Sequence, residues 1–507
     1  MTPPELWYLP AALIPRPLLP ILGEGESAIR DCEDEGGNEI SPLPFPQLLQ
    51  MTRVGEGPGV RASPAGGESP RRLAITPALV RAASAALDAA AEQLAAMPVR
   101  EIVAAIDRAL ACWRKPDDPH RAALLEHGPA LTGYSREALT YAIDELVPAF
   151  GADGLHALLR DELGDAAVLD GFVSVGSGMR RSARGPGRQF HVFAGTVPAV
   201  PVFSLIGALL LKSPVLAKPS SYDPLFPAVF AQTLAAVEPR LAGAMAVLPW
   251  PGGQNDDELE RAAVAGAGAV VVYGSDETVA AYRALAPAPA RFVGYGHALS
   301  VAAIAREALT VEGATETARR LAWDVALFDQ RGCLSPQFAL LERGGETAPE
   351  TFCTLLAAAL EALRLRLPRG PLDGAGHARI RAVREALRFR AAVQPGVRLW
   401  ESDGSTEWTV LLLPRLEPGS GGEGRTIAAL PVDDLAEGLP GVCAGLPLSC
   451  IGLAASERRR RELEPALARL ATRICPLGRM QEPPITWRHD GRPNLSDFVT
   501  WVEVEHG

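Results

Sequence analysis

Residues 191–221 read HVFAGTVPAVPVFSLIGALLLKSPVLAKPSS. The run from Val192 to Leu211 is apolar for about 20 residues, long enough to raise a membrane span. Gly195, Pro198 and Pro201 break it, and Lys212 and Lys218 follow at once. It therefore reads as a buried strand, a turn and a helix start, and no membrane span is expected. A second strand, VLAK, then ends at Lys218 and turns through Pro219. Beyond it LFPAVFAQTLAAV, GAMAVLPW, ELERAAVAGA, GAVVVYGS and ETVAAYRAL keep alternating short apolar runs with amphipathic stretches. This is the rhythm of βαβ units, so the fold class is α/β with a parallel sheet.

Upstream, residues 76–114 are Ala-rich with apolar residues at helical spacing, as are 135–149 and 155–163. Before them Gly55–Arg72, GEGPGVRASPAGGESPRR, has no apolar period and reads as a linker. Downstream of Arg306 a second lobe is expected. It opens with a helix through TETARRLAWDVALFD and the segment QRGCLSPQFALLER, followed by a long helix from about Glu350 to Leu365. A loop at 415–425, a charged helix at 456–470 and a Pro/Gly/Trp-rich end complete the chain.

At 507 residues two or three lobes are expected. The formal charge of -11 argues against a general polyanion binder, because nucleic-acid affinity rests on clustered basic residues. A nucleotide cofactor needs only a local site. Lys115, Lys212 and Lys218 are the chain's lysines; all other basic residues are arginines. The seven cysteines, at 32, 112, 333, 353, 443, 450 and 475, show no metal or disulfide spacing, so no metal is expected and a reducing cytoplasm fits. The Pro-rich, apolar N-terminus lacks a basic leader and does not read as a signal peptide.

Three places carry candidate chemistry. Lys218, with Ser220 and Ser221 after it, stands at the carboxyl end of a parallel strand, where open α/β sheets bind ligands. VVVYGS delivers Gly274 and Ser275 to the same edge, with Ser275 or Asp276 capping a helix whose N-terminus suits a pyrophosphate. No GxGxxG follows a strand. In FDQRGCLSPQ, Gly332 and Pro336 leave Cys333 on a turn, and Arg331 beside it would favour the thiolate that attacks a thioester. The other cysteines read as small buried hydrophobes.

In order, FAGTVP, AKPSS, YGS and the Cys of DQRGC resemble the aldehyde dehydrogenase superfamily, and more closely its acyl-CoA reductase branch, which includes the fatty-acid reductase of bacterial luminescence. The likeness runs from about residue 190 to 340 and resumes at RICPLGRMQEPPITWRHDGRP. It implies two parallel-sheet α/β lobes with the active site between them. These would be a cofactor domain at 76–305 and a thiol-bearing catalytic domain at 306–475, preceded by an N-terminal segment at 1–75 and followed by a C-terminal clasp at 476–507. By the same resemblance Cys333 carries the acyl group, Lys218 and Ser220 contact the cofactor ribose and phosphate, and Gly274 with Ser275 form the pyrophosphate turn. Thr196 stands where the superfamily has an oxyanion-hole asparagine; its hydroxyl would donate alongside the backbone N–H of Cys333. FVGYGHALS lacks the glutamate that activates water in hydrolytic members.

The implied reaction reduces an acyl-CoA or acyl-carrier-protein thioester to an aldehyde through a cysteine acyl-enzyme, using NADPH or else NADH. A homo-oligomer or a partner acyl-transfer enzyme would accompany it. The competing readings are an aldehyde or semialdehyde dehydrogenase running oxidation, and a non-catalytic member acting as a binding protein.

Overall fold

The structure, a computed structural model, describes residues 75–176, 178–252, 257–416 and 424–505. The N-terminal segment with its linker and Cys32, and most of the 415–425 loop, lie outside the described residues. The chain forms two compact units.

Of the described residues, the first unit takes 75–127, those of Phe150–Tyr295, and 494–505. Two helices open its described part, Pro77–Ala96 capped by Thr76 and Val99–Trp113. The periodicity of 76–114 suggested one helical region; Pro98, which cannot continue a helix, divides it. After a short antiparallel pair, β1 (Val173–Val175) and β2 (Met179–Arg184), come five strands: β3 (Gln189–Val192), β4 (Val215–Lys218), β5 (Met245–Val247), β6 (Ala269–Tyr273) and β7 (Arg291–Tyr295). All five are parallel, in the order β5-β4-β3-β6-β7.

Strands β3, β4 and β5 are buried along their whole length, as expected when both faces of a parallel sheet are covered. Val80, Ala83 and Leu87 of the first helix join Phe190, Val192, Leu216, Val270 and Val272 in one core. The apolar run after β3 becomes the helix Ala199–Leu210. No helix among the described residues is long and apolar enough to cross a membrane. The terminal strand, Thr500–Glu505, pairs antiparallel with β2.

The second unit takes Gly128–Ala149 and Gly296–Pro493. It holds β8 (Leu299–Ile304), β9 (Pro336–Glu342), β10 (Arg398–Glu401), β11 (Thr409–Leu412), β12 (Thr426–Val432), β13 (Leu448–Ala454) and β14 (Ala471–Pro476). Their order is β10-β11-β12-β9-β8-β13-β14, parallel except for the edge strand β10. The core fills with Val301, Phe338, Leu340, Leu411, Ala428 and Ile451. The expected class, two parallel-sheet α/β lobes, is what the chain forms.

Candidate active site

Three strand ends and their loops build the edge of the first unit that bears on ligand binding. Strand order reverses between β3 and β6, and in open α/β sheets ligands gather outside the carboxyl ends of the strands at such a point. Past the end of β3 lies the turn holding Gly195 and Thr196, with Thr196 exposed. Past the end of β4 lies the Ser220–Asp223 turn, in which Ser220 Oγ accepts the Tyr222 N–H at 3.1 Å. The two turns abut. A Cβ at Gly195 would stand 2.5 Å from Tyr222 Cβ and 2.8 Å from Ser220 Oγ, so only glycine permits this approach.

Lys218, the last residue of β4, is buried to 7% exposure. Its ammonium lies 5.5 Å over the Trp250 ring and 3.9 Å from Glu260 Oε1. Burial lowers its pKa, and Glu260 acts against that. At the end of β6, the Gly274 N–H donates to the Tyr295 carbonyl at 3.1 Å. Ser275 is the N-cap of the helix Asp276–Leu285, accepting the Thr278 N–H at 3.3 Å. Thr196, Lys218, Ser220, Gly274 and Ser275 therefore belong to one edge of one sheet.

Cys333 belongs to the second unit. The helix Gly313–Ala326 ends, and Phe328, Asp329 and Gln330 follow with φ of 57°, 53° and 60°. A β-turn comes next, the Ser335 N–H donating to the Gly332 carbonyl at 3.0 Å, with Cys333 and Leu334 at its centre. Ser300 Oγ donates to the Cys333 carbonyl at 2.6 Å, and Gln481 Nε2 to Ser335 Oγ at 2.5 Å. Strand register places Pro336 opposite Ser300, Ser300 opposite Cys450, and Cys450 opposite Arg473. Cys333 thus sits at the amino ends of β9, β8, β13 and β14.

The residue keeps some exposed surface. Burial of the thiol, and then the Asp490 carboxylate, push its pKa up to about 12. The backbone N–H groups of Cys333 and Leu334 and the Arg473 guanidinium act in the opposite direction. Arg331, expected from sequence to favour the thiolate, donates to the Thr132 carbonyl at 2.7 Å and lies 4.2 Å over the Tyr134 ring. Arg473 is a cation that acts on the thiol. The six described cysteines are all thiols.

Sequence reasoning passed over several neighbours. Asp490, in the 476–507 segment expected as a C-terminal clasp, accepts from Ser449 Oγ at 2.6 Å. Trp487 lies under the Arg473 guanidinium at 5.6 Å and 4.8 Å from the His489 ring. Asp329 and Gln330 precede the cysteine within the quoted FDQRGC, so their sequence nearness was a usable signal. Ser300 and Gln481 lie inside FVGYGHALS and RICPLGRMQEPPITWRHDGRP, but nothing in either segment marked them as supports of the cysteine turn.

An acyl-CoA reductase (LuxC) family model matches residues 94–501. The long-chain acyl-protein thioester reductase of Photorhabdus laumondii is 26% identical over 186 residues, which is 36% of this chain and 38% of that protein. The long-chain acyl-protein thioester reductase 2 of Photobacterium leiognathi is 22% identical over 78% of this chain and 80% of its own length. The first alignment thus spans well under half of its relative, the second most of it. Among solved structures, an NAD-dependent benzaldehyde dehydrogenase from Corynebacterium glutamicum superposes with a TM-score of 0.62 at 15% identity, covering 85% of this chain and 91% of the other. At that identity the likeness shows a shared fold, the one the four sequence motifs suggested.

Proposed function

The chain belongs to the LuxC acyl-CoA reductase family, and from that membership we propose that it reduces an acyl thioester, on CoA or a carrier protein, to an aldehyde through an acyl group carried on Cys333. The observation that carries the reading is the setting of Cys333. Its thiol is mounted on a tight turn pinned by Ser300 and Gln481, with the backbone N–H groups of Cys333 and Leu334 favouring its anion. Sulfur is the fitting nucleophile, since thiol exchange at a thioester carbonyl is nearly isoenergetic.

In acylation the Cys333 sulfur bonds to the carbonyl carbon and the bond to the departing thiol breaks. The proton that Cys333 gives up leaves with that thiol. Because burial holds Cys333 protonated at rest, the proton must depart as the sulfur attacks, and an oxyanion donor matters correspondingly more. We assign that donation to the backbone N–H of Cys333 and the Thr196 hydroxyl. The absence of an acid from residues 292–300 suits an acyl-enzyme that must outlast water.

Lys218, Ser220, Gly274 and Ser275 are our choice for the cofactor contacts. They fit a dinucleotide: a capped helix N-terminus at the strand-order switch suits a pyrophosphate, and Lys218 at the end of its strand offers a cation for a phosphate. The C. glutamicum neighbour is NAD-dependent; Lys218 leads us to favour NADPH, with NADH as the other nicotinamide. When bound, the nicotinamide supplies the hydride that releases the acyl group as aldehyde. The names of the relatives suggest a long-chain acyl donor. A cytoplasmic setting, and self-assembly or a partner acyl-transfer enzyme, complete the proposal. Cys333→Ala should abolish aldehyde formation while leaving nucleotide binding intact; a fully active Cys333→Ala protein would overturn it.

A further inference from the structure

The three residues Phe328, Asp329 and Gln330 hold the left-handed region in succession, immediately before the turn that bears Cys333. Residues with side chains avoid this region because Cβ crowds the following carbonyl, and a run of three is rarer still. Such a run persists only where its surroundings impose it. Here every member is tied. Phe328 is fully buried and packs edge-on against Tyr134, with ring centroids 5.6 Å apart. Gln330 Nε2 donates to the Pro336 carbonyl at 2.8 Å and the Thr426 carbonyl at 3.1 Å, bridging both ends of the cysteine turn to β12.

Asp329 is the best anchored. Its Oδ1 meets Arg425 Nε at 2.8 Å and the second guanidinium arm at 2.7 Å, and its Oδ2 accepts the Gly370 N–H at 3.1 Å. Both partners of the pair are buried, Arg425 at 3% and Asp329 at 8% exposure. Arg425 is itself held: its remaining arm donates to the Leu367 carbonyl at 2.9 Å, and its own φ is 61°. Two unfavourable backbone conformations, 96 residues apart, are thus locked by one buried ion pair. Burying a carboxylate and a guanidinium is a poor way to gain stability. Near a nucleophile the arrangement does something an apolar contact cannot, fixing position and direction through several charge-assisted bonds.

We propose that the Asp329–Arg425 pair is a positioning device for the reaction: it holds the left-handed run that aims the Cys333 thiol and backbone N–H at the thioester carbonyl. The inference rests on Cys333 as the acyl carrier. Misplacing a nucleophile by about an ångström costs on the order of a hundredfold in rate. The variants to test are Arg425→Lys, which keeps the charge but loses the fork, and Asp329→Asn, which keeps the shape but loses the charge.

Acyl transfer to the protein from an acyl-CoA is followed by intact-mass spectrometry at several donor concentrations. Nicotinamide nucleotide binding and alkylation of Cys333 by iodoacetamide report the integrity of each unit. The expected result is a maximal acylation rate on the order of a hundredfold lower in each folded variant. The donor concentration at half-saturation, alkylation and nucleotide binding should stay near wild type. If one variant fails to fold, the other decides. Acylation at the wild-type rate in a folded variant overturns the inference, as does a fall of acylation and alkylation in equal proportion, which would leave the pair a purely structural role. A wild-type protein that takes no acyl group on Cys333 overturns the functional reading itself, and the inference with it.

Discussion

Cys333 should be a slow nucleophile toward small reagents in the resting protein, and the structure sets how slow. Its thiol is pushed from an ordinary 9.0 up to about 12, chiefly by burial and then by Asp490. Three pH units mean roughly a thousandfold less thiolate at pH 8. A more basic thiolate is intrinsically more reactive, with a Brønsted slope of about 0.4–0.5, which returns some twenty- to thirtyfold. The net expectation is alkylation by iodoacetamide about 30- to 60-fold slower than that of the same cysteine in denatured protein. The assay is timed alkylation, quenching, digestion and quantification of the Cys333 peptide between pH 7 and 11. The rate should climb close to tenfold per pH unit across that range, without a plateau. A plateau setting in near pH 9 would show an ordinary thiol slowed by access alone, and a native rate equal to the denatured one would refute the reasoning.

Asp490→Asn removes the anion that disfavours the thiolate, so Cys333 alkylation at pH 8 should become several-fold faster, read in the same assay. At Glu342 burial alone would raise the carboxyl, yet bonds from the Arg306 side chain and N–H, the Leu435 N–H and Arg459 outweigh it and hold the group at about 2 against 4.5 unfolded. That stabilisation is present above pH 4.5 and is lost as pH falls through 2, so Glu342→Gln should cost on the order of 3 kcal/mol at pH 7 and little at pH 2 in denaturant titrations. In Gly195→Ala the new Cβ would meet Tyr222 Cβ at 2.5 Å and the Asp223 amide at 2.9 Å, atoms that yield only if the backbone moves. We expect a loss of about 1–3 kcal/mol and weaker nicotinamide nucleotide binding by calorimetry.

The parts of the fold legible in sequence are those that follow local periodicity. Strands such as Val215–Lys218 and Ala269–Tyr273, buried on both faces, appear as unbroken apolar runs, and Ser275 at the head of its helix is a local cap. What local reading cannot see is partnership at a distance. Arg331, two positions from Cys333, was the obvious cation for the thiol, but its side chain reaches Thr132, while Arg473 arrives from another strand. Glu342 ends an apolar strand and looks like an exposed terminus, yet Arg459, 117 residues on, covers it. Chain order also hides how the units are shared: residues 128–149 join the second unit, and the C-terminal segment divides at Pro493. The left-handed run at 328–330 contains no glycine to announce it.

The most direct test of the central claim is the mass of the intact protein after incubation with an acyl-CoA in the absence of nicotinamide nucleotide. A single acyl adduct, mapped to Cys333, absent from Cys333→Ala and discharged as aldehyde on adding NADPH, is the expected result. An adduct that persists in Cys333→Ala, or one that maps to another cysteine, would contradict it.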